Sequence, residues 1–98
     1  MLKITQAEIS QHPFKYKLKF NDLRVGEIDA RSLIREPSPG IFAALAKPDF
    51  SASAKLVHGT LCWPGELDVA PEYLYFLAFK DAPELQQQFI DWGYAHAH

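Results

Sequence analysis

The sequence predicts an α+β fold, with an N-terminal three-stranded antiparallel meander, short helices, a second hairpin and a C-terminal helix packed on the sheet. Three observations predict it. Phe14, Tyr16, Leu18 and Phe20 alternate with Lys15, Lys17 and Lys19, the period of two expected of a half-buried strand. Pro71, suited to a first helical turn, is followed by Leu74, Leu77 and Ala78 on one helical face. Leu85, Phe89 and Trp92 form a second apolar stripe before Gly93, which is placed to end a helix in the left-handed conformation.

In chain order, Ile4 and the pair Ala7 and Ile9 predict a first strand with one change of phase near Gln6, where a bulge would turn the inward face over. His12-Pro13 interrupts pairing, because proline lacks the N–H that a sheet ladder needs. The second strand runs from Phe14 to Phe20, Asn21-Asp22 supplies turn chemistry, and Arg24 to Ile28 returns as the third strand. Asp29 is placed to cap a short helix by accepting from the free amides of Ser32 and its neighbour, bringing Leu33 and Ile34 onto the sheet before Pro37 and Pro39 end it. Gly40 to Ala46, with Phe42 and Leu45 on one face, predicts another short helix that Pro48 stops. Lys55 to Val57 and Thr60 to Trp63 flank His58-Gly59, a two-residue connection that reads as a second, separate hairpin. Asp81-Ala82-Pro83-Glu84 has the spacing of a capping box for the last helix.

A chain of 98 residues is expected to form one domain around one core. Its net charge of −2 gives no global positive field to gather phosphate backbones or anionic lipid. Cys62 is alone and cannot form an intrachain disulfide, and Met1 to Gln6 alternates in polarity where a signal peptide would be continuously apolar, so the reducing cytoplasm is the expected location. The longest apolar run, Tyr73 to Phe79, is far shorter than the roughly twenty residues that span a bilayer, so no membrane segment is expected.

Several blocks carry a resemblance. Phe20-Asn21-Asp22 leads to Gly26-Glu27-Ile28-Asp29, followed by Gly40-Ile41-Phe42 with Leu45 and Phe50. Gly59-Thr60-Leu61-Cys62-Trp63-Pro64-Gly65 and Leu67-Asp68-Val69-Ala70-Pro71-Glu72-Tyr73-Leu74-Tyr75 are the most specific blocks. In this order they resemble a bacterial family known as domain of unknown function 2442. The resemblance divides the chain into a family-like core over 1–75 and a helical extension over 76–98, and it implies a small α+β domain with no assigned activity. Some members look like partners of a second small protein encoded beside them, an arrangement that suggests toxin–antitoxin pairs. Others carry a helix-turn-helix unit after the domain and look like transcription regulators. Here the residues after Tyr75 hold one capped helix, short of the two or three that such a reader requires. The sequence departs from the family pattern at Asn21-Asp22-Leu23, where an aspartate-glycine turn is more common, and at Trp63-Pro64-Gly65-Glu66, where tryptophan-proline-asparagine-glycine is.

No glycine-rich phosphate loop, zinc-protease helix or nucleophile-elbow string occurs, so no catalytic residue, metal ligand or cofactor is assigned and the chain is read as a non-enzyme. Cys62, beside Trp63 in a strand, reads as an inert buried thiol. His58 and Cys62 lack a second ligand pair, while His96 and His98 fall in a tail suited only to adventitious metal. The candidate interaction residues are Trp63, Pro64, Glu66 and Asp68 around the distinctive turn, and Tyr73, Tyr75, Phe89 and Trp92 in the aromatic C-terminal third. For each of these the competing reading is core, turn or cap. Lys15, Lys17 and Lys19 form a candidate anion contact, against the alternative of a solvated strand face. The expected function is a protein-interaction module binding a small partner or itself, with a nucleic-acid regulator as the rival.

Overall fold

The computed structural model describes residues 1–9, 14–33, 44–65 and 67–95. Strands β1 (Ile4–Ile9), β2 (Lys15–Phe20) and β3 (Val25–Asp29) form an antiparallel sheet in the order β1-β2-β3. Ile4 pairs with Phe20 but Gln6 pairs with Lys19, so Thr5 is the extra residue of a bulge, and the expected change of phase is real. Tyr16, Leu18 and Phe20 are fully buried while the lysines between them point outward. Phe14 stands outside β2, contrary to the sequence reading, because its φ of 79° breaks the extended backbone. Its carbonyl accepts the Ala30 N–H at 2.8 Å, and the Arg31 guanidinium lies 4.9 Å from its ring centre.

In the segment where a helix was expected after Asp29, the described residues Ala30–Leu33 form a 3₁₀ turn with Leu33 buried. Asp29 Oδ1 accepts from the Arg31 N–H at 2.9 Å and its two oxygens hold the Arg31 guanidinium, so the carboxylate serves its neighbour instead of Ser32. His12-Pro13, Ile34, Pro37, Pro39 and the start of the helix expected from Gly40 lie outside the described residues. Ala44–Ala46 is a 3₁₀ turn, and Pro48 begins a helix instead of ending one. It opens α1 (Pro48–Ala52), where the missing N–H is not needed.

Strands β4 (Lys55–Val57), β5 (Thr60–Trp63) and β6 (Leu67–Val69) form a second antiparallel sheet in the order β4-β5-β6. His58 and Gly59 both have positive φ, as a two-residue hairpin turn of this hand requires. The sequence reading gave the hairpin but not its third strand. Asp68, read as a helix cap, lies in the middle of β6 opposite Cys62, while Leu67 and Val69 face inward opposite Trp63 and Leu61. A three-residue alternation is too short to announce itself as a strand.

Helix α2 (Pro71–Phe79) starts after Ala70 with no side-chain cap and packs on β3. Gly26 permits this approach, since a Cβ there would lie 2.9 Å from both the Ala78 Cβ and the Phe79 ring. A 3₁₀ turn, Pro83–Leu85, leads into α3 (Gln86–Asp91). The expected capping box does not form. Ala82 takes the cap position, Glu84 turns to Arg24, and the Gln86 amide donates to the carbonyls of Lys80 and Ala82 instead. Gly93 has the expected left-handed φ of 85°, and the Tyr94 N–H closes the helix on the Phe89 carbonyl at 2.9 Å. Buried side chains from both sheets, Leu74 and Tyr75 of α2 and Phe89 of α3 belong to one apolar cluster. Residue 75, where the sequence reading ends the family-like core, lies within α2. Among the described residues no helix is long and apolar enough to cross a membrane.

Candidate interaction site

Trp63 is core. It is 3% exposed, and its indole Nε1–H donates to Tyr16 Oη at 3.1 Å. The Tyr16 hydroxyl in turn donates to the Ser51 carbonyl at 2.6 Å and sits 3.0 Å from Ser51 Oγ. These bonds join β2, α1 and β5 at one fully enclosed point, and burial pushes the Tyr16 hydroxyl pKa up. Tyr75 and Phe89 are also buried, so three of the residues assigned to an interaction surface are interior instead, where large aromatics contribute most to burial. Tyr73 and Trp92 are half-buried, with ring centres 5.4 and 6.3 Å from that of Tyr94 and packed against the core. Pro64 is exposed at the turn into β6, Asp68 is exposed on the outer face of that strand, and Glu66 lies outside the described residues. Trp63, Tyr75 and Phe89 therefore contribute no exposed side chain to a surface.

The lysine stripe does lie on one outer face, but its charge is matched across the strands. Lys15 stands opposite Asp29, Lys17 stands between Glu8 and Glu27, and Lys19 stands between Gln6 and Val25. Three ammonium groups thus share their face with three carboxylates. A shallow groove of about 250 Å³ opens there, lined by Gln6, Ala7, Glu8, Lys17, Lys19 and Val25. Cys62 is half-buried on the outer face of the second sheet between Lys55 and Asp68, not enclosed as its sequence context suggested. Burial first, and then the Asp68 carboxylate, raises its thiol pKa, the direction that disfavours the thiolate. Among the described residues no group of histidine, cysteine and carboxylate side chains is placed to hold a metal ion; His96 and His98 lie outside them.

The sequence reading placed the β2–β3 turn and noted its departure from the family pattern, but missed the conformation of Leu23 within it. Leu23 has a φ of 76° and is 77% exposed. The left-handed region costs a residue with a Cβ roughly 1–2 kcal/mol. Among the described residues, the two other non-glycine positions with positive φ have evident compensation: Phe14 packs against the core under Arg31, and His58 occupies a hairpin turn that demands this conformation. Leu23 combines backbone strain with solvent exposure.

Hydrogen bonds brace the residues on either side of it. Asp22 Oδ1 accepts the Arg24 N–H at 3.0 Å, and Asp22 Oδ2 accepts the Tyr75 hydroxyl at 2.7 Å. Burial, followed by this hydrogen bond to a carboxylate, pushes the Tyr75 pKa up to about 12. Arg24 reaches Glu84 at 3.0 Å, while the Leu23 N–H closes the turn on the Phe20 carbonyl at 3.0 Å. Val25, 49% exposed, extends the apolar surface toward the groove. The signal in the sequence was the leucine standing in the turn where the family pattern favours an aspartate-glycine pair.

Two three-stranded antiparallel sheets, sharing a core with short helices and presenting one braced turn, define a small α+β domain. The chain belongs to the family described as "Protein of unknown function (DUF2442)", whose sequence model matches residues 8–80. The match runs from the end of β1 through the end of α2, so the turn at Leu23 and its Tyr75 anchor lie within it, while Glu84 and α3 follow it. No curated protein and no solved structure matches the chain.

Proposed function

We propose that the chain is a protein-interaction module without catalytic chemistry of its own, acting in the cytoplasm as the partner-binding half of a small two-protein system. The observation that carries this reading is Leu23, an exposed leucine on a strained backbone that Asp22, Arg24 and Tyr75 hold in place. Strain kept at a surface position, with no burial to offset it, is characteristic of functional contacts. A rigid apolar tip also loses little entropy when it enters a partner's pocket. The nucleic-acid reading is weaker, because Glu8, Glu27 and Asp29 stand beside the lysines that would have to bind phosphate.

The test is affinity capture from the native host with its neighbouring genes intact, comparing the natural chain with Leu23→Gly. A stoichiometric small protein held by the natural chain and lost from the folded variant supports the reading. Equal capture by both chains, or a chain that elutes alone, overturns it.

A further inference from the structure

We infer that the partner segment seated on the β2–β3 turn carries an aspartate or glutamate beside its apolar residues, and that Lys19 on the outer face of β2 pairs with that carboxylate. The inference rests on the interaction reading above and adds the chemistry of the partner, an acidic-apolar stretch of protein.

The cross-strand register sets Lys19 apart from the other two lysines of the stripe. Lys15 is opposite Asp29, and Lys17 has Glu8 on one side and Glu27 on the other, whereas Lys19 has the Gln6 amide on one side and the apolar Val25 on the other. Among the described residues the ion pairs are those of Arg24 and Arg31, and none includes Lys19. Glu8 lines the same groove, but it stands directly opposite Lys17 and only diagonal to Lys19; diagonal neighbours are roughly 7–8 Å apart, against about 5 Å for direct ones. Lys15 and Lys17 are exposed, while Lys19 is half-buried. Its ammonium is therefore held closer to one place, and less side-chain entropy is lost when a partner fixes it.

The backbone beside Lys19 is built differently as well. The bulge at Thr5 falls between the Ile4–Phe20 and Gln6–Lys19 pairs, and the Thr5 hydroxyl donates to the Lys19 carbonyl at 3.2 Å. Bulges re-aim side chains at sheet edges, and the groove lies alongside this one, with Gln6, Ala7, Lys19 and Val25 among its walls. Val25, 49% exposed, and Leu23, 77% exposed, lead from Lys19 to the tip of the turn. A cation without a matched carboxylate, flanked by exposed apolar side chains, fits a single carboxylate on an apolar segment. Covering Val25 and Leu23 lowers the dielectric around the ion pair, which strengthens its Coulombic attraction. A phosphate backbone fits poorly, since its next charge would meet Glu8 or Glu27.

The test pans a phage-displayed library of short random peptides against the folded full chain and titrates the enriched peptides by fluorescence anisotropy. Enriched peptides should carry Asp or Glu next to aromatic or aliphatic residues. Lys19→Met, which keeps the stem and removes the charge, should weaken their binding about threefold to fivefold, and Lys19→Glu about tenfold or more. Lys19→Arg and Lys15→Met should bind as the natural chain does, and added salt should weaken the natural chain more than Lys19→Met. Circular dichroism checks that each variant is folded. Weakening by both Lys19→Glu and Leu23→Gly supports the inference together with the reading it rests on. Weakening by Leu23→Gly with indifference to Lys19→Glu overturns the inference alone, while the reverse upholds the carboxylate contact and overturns the role given to Leu23. A library that enriches no carboxylate-bearing peptide, or a labelled DNA oligonucleotide that binds more tightly than the acidic peptides, also overturns the inference.

Discussion

Two tyrosine hydroxyls do opposite kinds of work in this protein. Tyr16 ends in a closed interior, where its hydroxyl joins the Trp63 indole to Ser51 and ties two sheets and a helix together. Tyr75 sends its hydroxyl outward from the core to Asp22 and fixes a turn whose tip, Leu23, is bathed in solvent. The first arrangement uses each polar group to satisfy another and leaves nothing facing out. The second uses a buried anchor to hold an exposed apolar side chain in an unfavourable conformation. The difference teaches where to look for function in a domain without catalytic motifs: hydrogen-bond satisfaction at the centre stabilises the fold, while uncompensated strain at the rim needs another explanation.

If the interior node is structural, its loss should be the most damaging change in the molecule. Trp63→Ala is expected to cost about 3–5 kcal/mol, through a large cavity and a Tyr16 hydroxyl deprived of its donor. Thermal or urea denaturation reads this directly, and a variant melting like the natural chain would show that Trp63 is not enclosed. Tyr16→Phe is gentler. It keeps the ring but leaves the indole N–H and the Ser51 carbonyl without their partner, which is expected to cost about 1–3 kcal/mol.

How far the sequence disclosed these two regions differs for a physical reason. The alternation of Tyr16, Leu18 and Phe20 with lysines is a periodic signal, and periodicity survives without knowledge of tertiary contacts. The positions of β2, the β4–β5 hairpin, α2 and the Gly93 stop were legible in that way. The starting role of Pro48 and the brevity of β6 were not, because a proline both ends and begins helices and three residues carry no measurable period. Trp63 was weighed both as contact and as core; only the long-range meeting of β2, α1 and β5 decides between them. Leu23 was seen as a departure from a family turn, but its significance depends on a φ value that composition does not encode.

The strap beneath Leu23 sharpens the contrast at lower cost. Tyr75→Phe removes one hydrogen bond to a carboxylate that water can reach, so about 0.5–1.5 kcal/mol is expected at neutral pH. Its pH signature is more specific. Folding raises the Tyr75 pKa from 10.0 to about 12, so the folded chain keeps this proton at pH values where the unfolded chain releases it. The associated stability is therefore fully present below about pH 10 and declines as pH rises toward 12. Tyr75→Phe should flatten part of that alkaline decline, with the remainder including Tyr16, whose pKa burial also raises. An alkaline profile identical to that of the natural chain would argue that neither burial nor Asp22 shifts this hydroxyl.

The smallest effect on stability should come from Leu23→Gly, and its sign is what separates the two regions. Glycine removes the roughly 1–2 kcal/mol left-handed cost of leucine, while its extra freedom in the unfolded chain offsets about 0.5–1 kcal/mol of that gain. A net stabilisation of about 0.5–1 kcal/mol is expected, raising the melting temperature by a few degrees. At Trp63 and Tyr16 every truncation should weaken the fold, whereas at Leu23 truncation should strengthen it. A leucine held against the stability of its own fold requires a benefit outside that fold, which is why this variant should lose the partner while melting later. Destabilisation on Leu23→Gly would instead place the side chain in the service of the monomer and remove the main support for a contact at this turn.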